Sequence, residues 1–382
     1  MHWIAPESVK ELAALLRECA AAAQTIEIGG NRTKRLMSGP VWEADVAVST
    51  AGLRRILQYE PGDLTVSIEA GMPFQELQRQ LRTQGQMVAL DPPFGAGATV
   101  GGIVASNTSG PMRRGFGTAR DLVIGMEFAM LDGKLIKAGG MVVKNVAGLD
   151  MGKLMIGSFG TLAVITSVNF RLHPLPEQTR TFLFEFADTQ SAIGKRDAIP
   201  RGVLQPFAVD LLSPSAAECC GRRGYVLAVQ AAGSKAVLER YARELHEAEQ
   251  LNGREEAEFW GHVREFTPAF LARNPQGVVV RVSTTLSDLA SLMRFAPGAV
   301  VARAATGVAY IHLESWPPVA AFREHGWSAV VEFAPEEIRR TQELWRLPSE
   351  TGVANSFDMM KRVKQMFDPG NLLNRSRLYG RI

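Results

Sequence analysis

Apolar positions along the first third of the chain alternate between two periods. Ser8 and Glu11 form an S-x-x-E capping box after Pro6, and Val9, Leu12, Leu15, Leu16 and Cys19 follow at helical spacing, which predicts a helix with one stripe on a sheet. Residues 25–28 alternate like a strand and run into Gly29-Gly30-Asn31-Arg32-Thr33. Strands are expected at 44–50 and 64–69, with a short helical link at 52–59. Pro73 opens a helix carrying Leu77 and Leu81 that stops near Gly85. Residues 122–130 and 135–138 form a hairpin across Asp132-Gly133. A loop at 144–155 leads into a short helix, and the turn Gly157-Ser158-Phe159-Gly160 enters a strand at 162–172.

Pro174-Leu175-Pro176 marks the clearest boundary. Beyond it, strands near 181–186, 203–212, 224–231, 278–283, 299–303, 307–313 and 328–333 are interspersed with helices near 234–248, 254–271 and 286–295. This order predicts an antiparallel sheet with helices on one face. Helices around 338–346 and 356–367 bring the chain back toward its first part.

At 382 residues the chain exceeds one typical core, so two domains are expected. Its 46% hydrophobic and 21% charged residues are those of an ordinary globular protein, and a net charge of +3 is too small to argue for nucleic acid. Cys19 and the pair Cys219-Cys220 have no metal-ligand spacing and fit a reducing compartment. No signal peptide or membrane-spanning run is read, so a cytoplasmic protein without direct membrane insertion is expected.

Candidate chemistry gathers at two glycine sites. Asp91 to Gly110 (DPPFGAGATVGGIVASNTSG) is a turn-rich segment in which small residues let a flat ligand lie against the backbone. Upstream, the strand feeding Gly29 to Thr33 presents consecutive N–H groups to a phosphate. Neither GxGxxG nor GxxxxGK[ST] is present, and Ser38-Gly39-Pro40 interrupts the long helix those motifs require.

GGNRTK at 29–34, the segment at 91–110, GTARDLVIGMEF at 117–128, KNVAGLDMGKLMIGSFGTLAVIT at 144–166 and FDPGNLLN at 367–374 resemble, in order and spacing, the FAD-binding domain of the vanillyl-alcohol oxidase, or p-cresol methylhydroxylase (PCMH), type. Within that family the chain is most similar to FAD-binding E-type subunits of bacterial glycolate oxidases. The resemblance covers roughly the first 175 residues and the last 40. It implies an α+β fold: a two-part FAD-binding domain over 1–175, an antiparallel-sheet cap over 176–340, and a C-terminal segment over 341–382 packing back on the FAD domain. It implies that Gly29, Gly30, Asn31, Arg32 and Thr33 cradle the FAD pyrophosphate. Pro92, Thr99, Val100, Gly101, Gly102, Ala105, Ser106, Asn107 and Gly110 would lie along the isoalloxazine and ribityl chain, with Gly117 and Asp121 beyond them. Gly157, Gly160, Thr161, Val164 and Ile165 would run beside the adenosine half, and Asn374 would return to the ring. Three departures stand out: no His or Cys occupies the positions of covalent attachment, so FAD is expected to be noncovalent; Ala163 replaces a Gly; and Arg375-Ser376 replace the usual Pro-Gly.

The resemblance implies a D-type flavoprotein subunit and an iron–sulfur F-type subunit as partners, a small 2-hydroxy acid as substrate, and inner-membrane contact only through the complex. Catalytic relatives place two histidines near an acidic-glycine turn in the cap; the matching stretch, Thr306 to His312, keeps one histidine and lacks its partner and the acid. A lone His on a strand is usually structural, and no catalytic residue or metal site is assigned. Three functions stay open: an FAD subunit of a glycolate oxidase complex, a self-sufficient D-2-hydroxy acid dehydrogenase, and a subunit whose flavin site is a structural interface.

Overall fold

The computed structural model describes residues 2–141, 150–201, 203–316, 319–345 and 356–382. The loop expected at 144–149 lies outside them. The chain divides into two compact units, one of Met1–Thr108, Thr118–Leu175 and Glu336–Ile382, the other of Ser109–Gly117 and Pro176–Pro335.

The first unit holds two main sheets. β1 (Trp3–Ile4), β2 (Ile26–Gly29) and β3 (Val46–Ser49) pair in the order β1-β3-β2, all parallel. Parallel neighbours need a crossover, and α1 (Val9–Ala21) supplies it between β1 and β2. The Glu11 amide donates to Ser8 Oγ at 3.2 Å, as the capping box predicts. The α1 stripe of Leu12, Leu16 and Cys19 packs with Ile26, Val48, Val164 and Leu373. Each wholly buried leucine contributes roughly 1.5–3 kcal/mol.

β4 (Ile56–Glu60), β5 (Thr65–Glu69), β7 (Val123–Ala129), β8 (Leu135–Gly139) and β9 (Val164–Arg171) form an antiparallel sheet in the order β4-β5-β9-β7-β8; β6 (Gln86–Met87) pairs with β10 (His173–Pro174). Residues 52–59, expected to be a helical link, are instead a 3₁₀ turn at Thr50–Gly52 followed by β4. Pairing with β5 decides this: β4 is an edge strand with Leu57 half exposed, so it lacks the alternation that betrays a strand. Pro73 precedes α2 (Phe74–Arg82), whose Phe74, Leu77 and Leu81 are buried. Within the segment expected to be turn-rich, Val100–Ser106 is a helix, α3, because Thr99 caps it and Val100, Ile103 and Val104 are buried.

Residues 372–374 extend the parallel sheet at β2. The Ile26 amide donates to the Leu372 carbonyl at 2.8 Å, and the Asn374 amide donates to the Ile26 carbonyl at 2.9 Å. The buried Lys364 ammonium locks this return, donating to Asp368 Oδ2 at 2.5 Å, the Thr161 carbonyl at 2.7 Å and the Leu373 carbonyl at 2.9 Å. Asp368 in turn accepts from the Leu372 and Leu373 amides. The expected α+β class with a returning C-terminal segment holds.

The second unit is built on an antiparallel sheet of β11 (Gln178–Phe186), β12 (Ala208–Leu212), β13 (Tyr225–Gly233), β14 (Glu249–Leu251), β15 (Val278–Ser283), β16 (Ala299–Arg303), β17 (Val308–Leu313) and β18 (Ser328–Phe333). Its order is β14-β11-β13-β12-β16-β17-β15-β18. Helices cover both faces rather than one. Phe182 stacks on Tyr241 of helix Lys235–Glu244 at 5.9 Å, while its neighbour Thr181, on the opposite face, accepts from the Trp260 indole of helix Gly253–Arg264 at 2.7 Å.

Two boundaries differ from expectation. Residues 109–117 group with the second unit because Phe116 meets Phe207 edge-on at 4.9 Å and Arg114 donates to Gln205. The final return begins at Glu336, where Arg339 donates to the Gly39 carbonyl at 2.8 Å.

Candidate cofactor site

A solvent-open cleft, about 860 Å³ with the adjoining solvent included, lies within the first unit. Its first wall is the turn after β2, whose course is set by Arg32 at φ +60° and fixed by Asn31 Nδ2 donating to the Gly97 carbonyl at 2.9 Å. Arg32 lays its guanidinium 4.6 Å over the Trp3 ring. Gly30 abuts the second wall so tightly that a Cβ there would fall 2.2 Å from Thr99 Oγ1. That hydroxyl caps α3 by accepting from the Gly102 amide at 3.3 Å.

The third wall, Phe159–Gly160 with Ala163 to Ile165, is tied to the end of α3. The Gly157 amide donates to the Val104 carbonyl at 3.1 Å and the Phe159 amide to the Ala105 carbonyl at 2.8 Å. The fourth is the returning tail, Asn374 and Arg377. Asn374 Oδ1 accepts from the Ile28 amide at 2.7 Å, and its Nδ2 donates to the carbonyls of Phe159 at 2.8 Å and Ile28 at 3.3 Å. Its amide thus clamps three segments rather than standing ready for a ring.

Of the residues singled out in the sequence, Gly29, Gly30, Asn31, Arg32 and Thr33 line the cleft. So do Thr99, Gly101, Gly102, Ala105 and Ser106, and on the far side Gly160, Val164, Ile165 and Asn374. Pro92, Val100 and Thr161 are buried behind the walls. Asn107 ends α3 with φ +49° against Gly157, where a Cβ would sit 3.5 Å from its own. Asp121 spends its carboxylate on a capping box, accepting from the Thr118 amide at 2.8 Å. Gly110 and Gly117 flank the short helix Arg113–Phe116 of the second unit.

Sequence reasoning missed Trp3, Glu27, Ile28, Lys34, Arg35, Thr50, Phe159 and Arg377. Lys34 and Arg35 directly follow the glycine turn, a basic dipeptide that was the available signal; Trp3 and Arg377 reach the cleft only through tertiary pairing. These side chains set the electrostatics. Arg35 Nε donates to Glu27 at 2.9 Å, which raises its pKa. Arg377 donates to the carbonyls of Gly39 at 2.5 Å and Lys34 at 3.5 Å, and burial, with Arg339 and Arg35 close by, pushes it down to about 10. Four basic side chains (Arg32, Lys34, Arg35, Arg377) against Glu27 leave a positive wall suited to a diphosphate.

The histidine matched to the catalytic position is sealed. His312 Nδ1 donates to the Ala299 carbonyl at 3.2 Å, its Nε2 accepts from the Thr267 hydroxyl at 2.8 Å, and Phe266 and Phe270 meet it edge-on. Burial lowers its pKa to about 4, so it is a neutral packing residue.

The donor set fits FAD: backbone amides and basic side chains on one wall, and glycines with no room for a Cβ. Residues 2–139 match the FAD binding domain and residues 349–378 match the C-terminal domain of FAD linked oxidases. Fold and cleft agree with what these two matches describe, an FAD binding domain and the C-terminal domain of FAD linked oxidases.

The chain is 32% identical over 209 residues to the glycolate oxidase subunit GlcE of Escherichia coli, covering 51% of this chain and 58% of that protein. It is 30% identical over 207 residues to the mitochondrial D-lactate dehydrogenase [cytochrome] of Arabidopsis thaliana, covering 54% of this chain and 36% of that protein. The chain thus spans between about a third and three fifths of these relatives. The 4-ethylphenol oxidase of Gulosibacter chungangensis, bound to isoeugenol, superposes with a TM-score of 0.75 at 14% identity, covering 98% of this chain and 88% of that one, a likeness of fold. No helix among the described residues is long and apolar enough to cross a membrane.

Proposed function

We propose that the chain is an FAD-binding subunit of a glycolate oxidase complex, which oxidises glycolate to glyoxylate and passes the electrons to D-type flavoprotein and iron–sulfur F-type partners. The observation that carries this reading is the glycine-walled, basic cleft on a chain whose relatives include a glycolate oxidase subunit. Amides of Gly29 to Thr33, with Lys34 and Arg377 behind them, would hold the pyrophosphate; Thr99 to Ser106 would lie along the flavin and ribityl chain; Gly160 to Ile165 would border the adenosine half. Bound FAD supplies the two-electron acceptor, while the chain orients it and screens it from water. Among the described residues no His or Cys lines the cleft, which supports noncovalent binding. A self-sufficient D-2-hydroxy acid dehydrogenase is the second reading, supported by the resemblance to a D-lactate dehydrogenase. Absorption spectra before and after acid precipitation test the cofactor: flavin moving wholly into the supernatant is expected, and a colourless chain that takes up no FAD refutes the proposal. Dye-linked turnover of glycolate and D-lactate by the purified chain, with and without partners, separates the readings; robust turnover alone refutes the dependence on partners.

A further inference from the structure

The arginines that line the cleft divide by what they already hold. Arg35 gives Glu27 two hydrogen bonds, at 2.9 and 3.3 Å, and Arg377 donates to the carbonyls of Gly39 and Lys34. Arg32 makes no ion pair and no side-chain hydrogen bond among the described residues; its guanidinium lies over the Trp3 ring, 4.6 Å from the ring centre. A guanidinium over an aromatic ring uses its own face for that contact and keeps its in-plane N–H donors, the fork that matches phosphate oxygens in pairs.

The parallel sheet builds this contact. Trp3 on β1 lies opposite Ala47 on β3, and Ala47 lies opposite Glu27 on β2, so Trp3, Glu27 and, two residues further, Gly29 share one face. Ala47 is small enough for the indole to reach across β3 to Gly29. A Cβ on Gly29 would come 3.4 Å from Trp3 Cζ3 and Cη2 and 3.1 Å from Arg32 Cγ, so the indole and the Arg32 stem meet above a residue without a side chain. Arg32 itself holds φ +60°, a left-handed conformation that costs a non-glycine residue free energy and persists where surrounding contacts impose it. Glycine or asparagine would meet that φ at less cost, so the turn gains its cation against backbone preference.

We infer that Trp3 is a positioning residue for the cofactor's diphosphate: its ring holds the Arg32 guanidinium at the cleft wall, and Arg32 donates to the diphosphate oxygens. This rests on the FAD-binding reading above and deepens it, because it gives the first strand of the chain a part in recognising the cofactor. Without the ring, Arg32 is left among its solvent rotamers and its ordering falls to the binding step.

The test is a double-mutant cycle on the full apo chain, titrated with FAD and followed by flavin fluorescence. Arg32→Gln is expected to weaken FAD about tenfold or more, the scale of a hydrogen bond to a charged group. Trp3→Leu and Trp3→Met, which lack an aromatic face, are expected to weaken it about three- to fivefold, the scale of an exposed cation–π contact, while Trp3→Phe stays within about twofold of wild type. In the Arg32→Gln background the Trp3 substitutions should weaken FAD no further. Urea titration of each apo variant checks the fold, and the two ring-free variants guard against one of them failing to fold. Trp3 losses equally large in the Arg32→Gln background make the ring a plain wall and overturn the inference. So does affinity within about twofold of wild type in Arg32→Gln, or in both ring-free variants. The two levels fail separately. A wild-type chain that takes up no FAD refutes the cofactor reading and the inference with it, whereas equally tight binding by wild type and the Trp3 variants refutes the inference alone.

Discussion

Gly30→Ala is the sharpest probe of the cleft. A Cβ on Gly30 would lie 2.2 Å from Thr99 Oγ1, 3.0 Å from its Cγ2 and 3.1 Å from its Cβ, and side-chain contacts of that kind require something to move. Thr99 is wedged, being 2% exposed and committed through its hydroxyl to the Gly102 amide at the start of α3. Overpacking a fixed contact costs about 1–3 kcal/mol, and losing an N-cap bond about 1 kcal/mol more. If both fall on the liganded geometry, affinity for FAD drops by roughly 30- to 1,000-fold, taking ~1.4 kcal/mol per decade. Reconstitution of the apo chain, followed by quenching of FAD fluorescence, reads this directly. Gly62→Ala is the control, because nothing lies within 4 Å of the added carbon. A Gly30→Ala chain that binds FAD within threefold of wild type would refute the claim that these two walls are in contact by necessity.

Other outcomes follow from the same contacts. Asn374→Ala leaves the Ile28 amide and Phe159 carbonyl without their partner and should lower stability by about 2–3 kcal/mol in urea titration; a loss under 0.5 kcal/mol contradicts the clamp. Lys364→Met strands Asp368 as a buried carboxylate without its cation and should cost about 3–5 kcal/mol, read as a lower melting temperature. His312 is held neutral with its folded pKa lowered to about 4, below the ordinary 6.5. Its stabilising effect is therefore complete above pH 6.5 and is lost as the pH falls toward 4, a change of about 3 kcal/mol. His312→Gln should flatten the pH dependence of stability between those values, and equal slopes in the two proteins would show that the imidazole is not the group responsible.

Strong local signals were legible in the sequence: the α1 stripe behind its Ser8 cap, the 123–139 hairpin, and the glycine turn that became one wall of the cleft. What escaped was decided by contacts distant in the chain. β4 exists because β5 pairs with it, and α3 hides among residues whose smallness signals turns until burial of Ile103 and Val104 selects a helix. The roles of Trp3 and Arg377 depend on strand pairings that bring residues 372–374 beside β2, and no local period encodes that. His312 and Tyr310 are two positions apart on one strand face, yet helix Phe266–Arg273 seals the first, while the second sits among charges. Residue type drew attention to the histidine; its surroundings make it a packing residue.

The return of the tail to β2 imposes an order of events during synthesis. β2 sits at the edge of its sheet, and its outer amides and carbonyls find partners only when residues 372–374 arrive. The whole of Pro176–Pro335, 160 residues by difference, must be made first. At 5–20 residues per second that is roughly 8–30 s during which an emerging chain exposes an unpaired strand edge beside a half-built nucleotide cleft. Loading of the cofactor therefore waits until residues 372–374 have been made, and any slowing of synthesis through the second unit lengthens the time in which that edge can recruit a neighbouring chain.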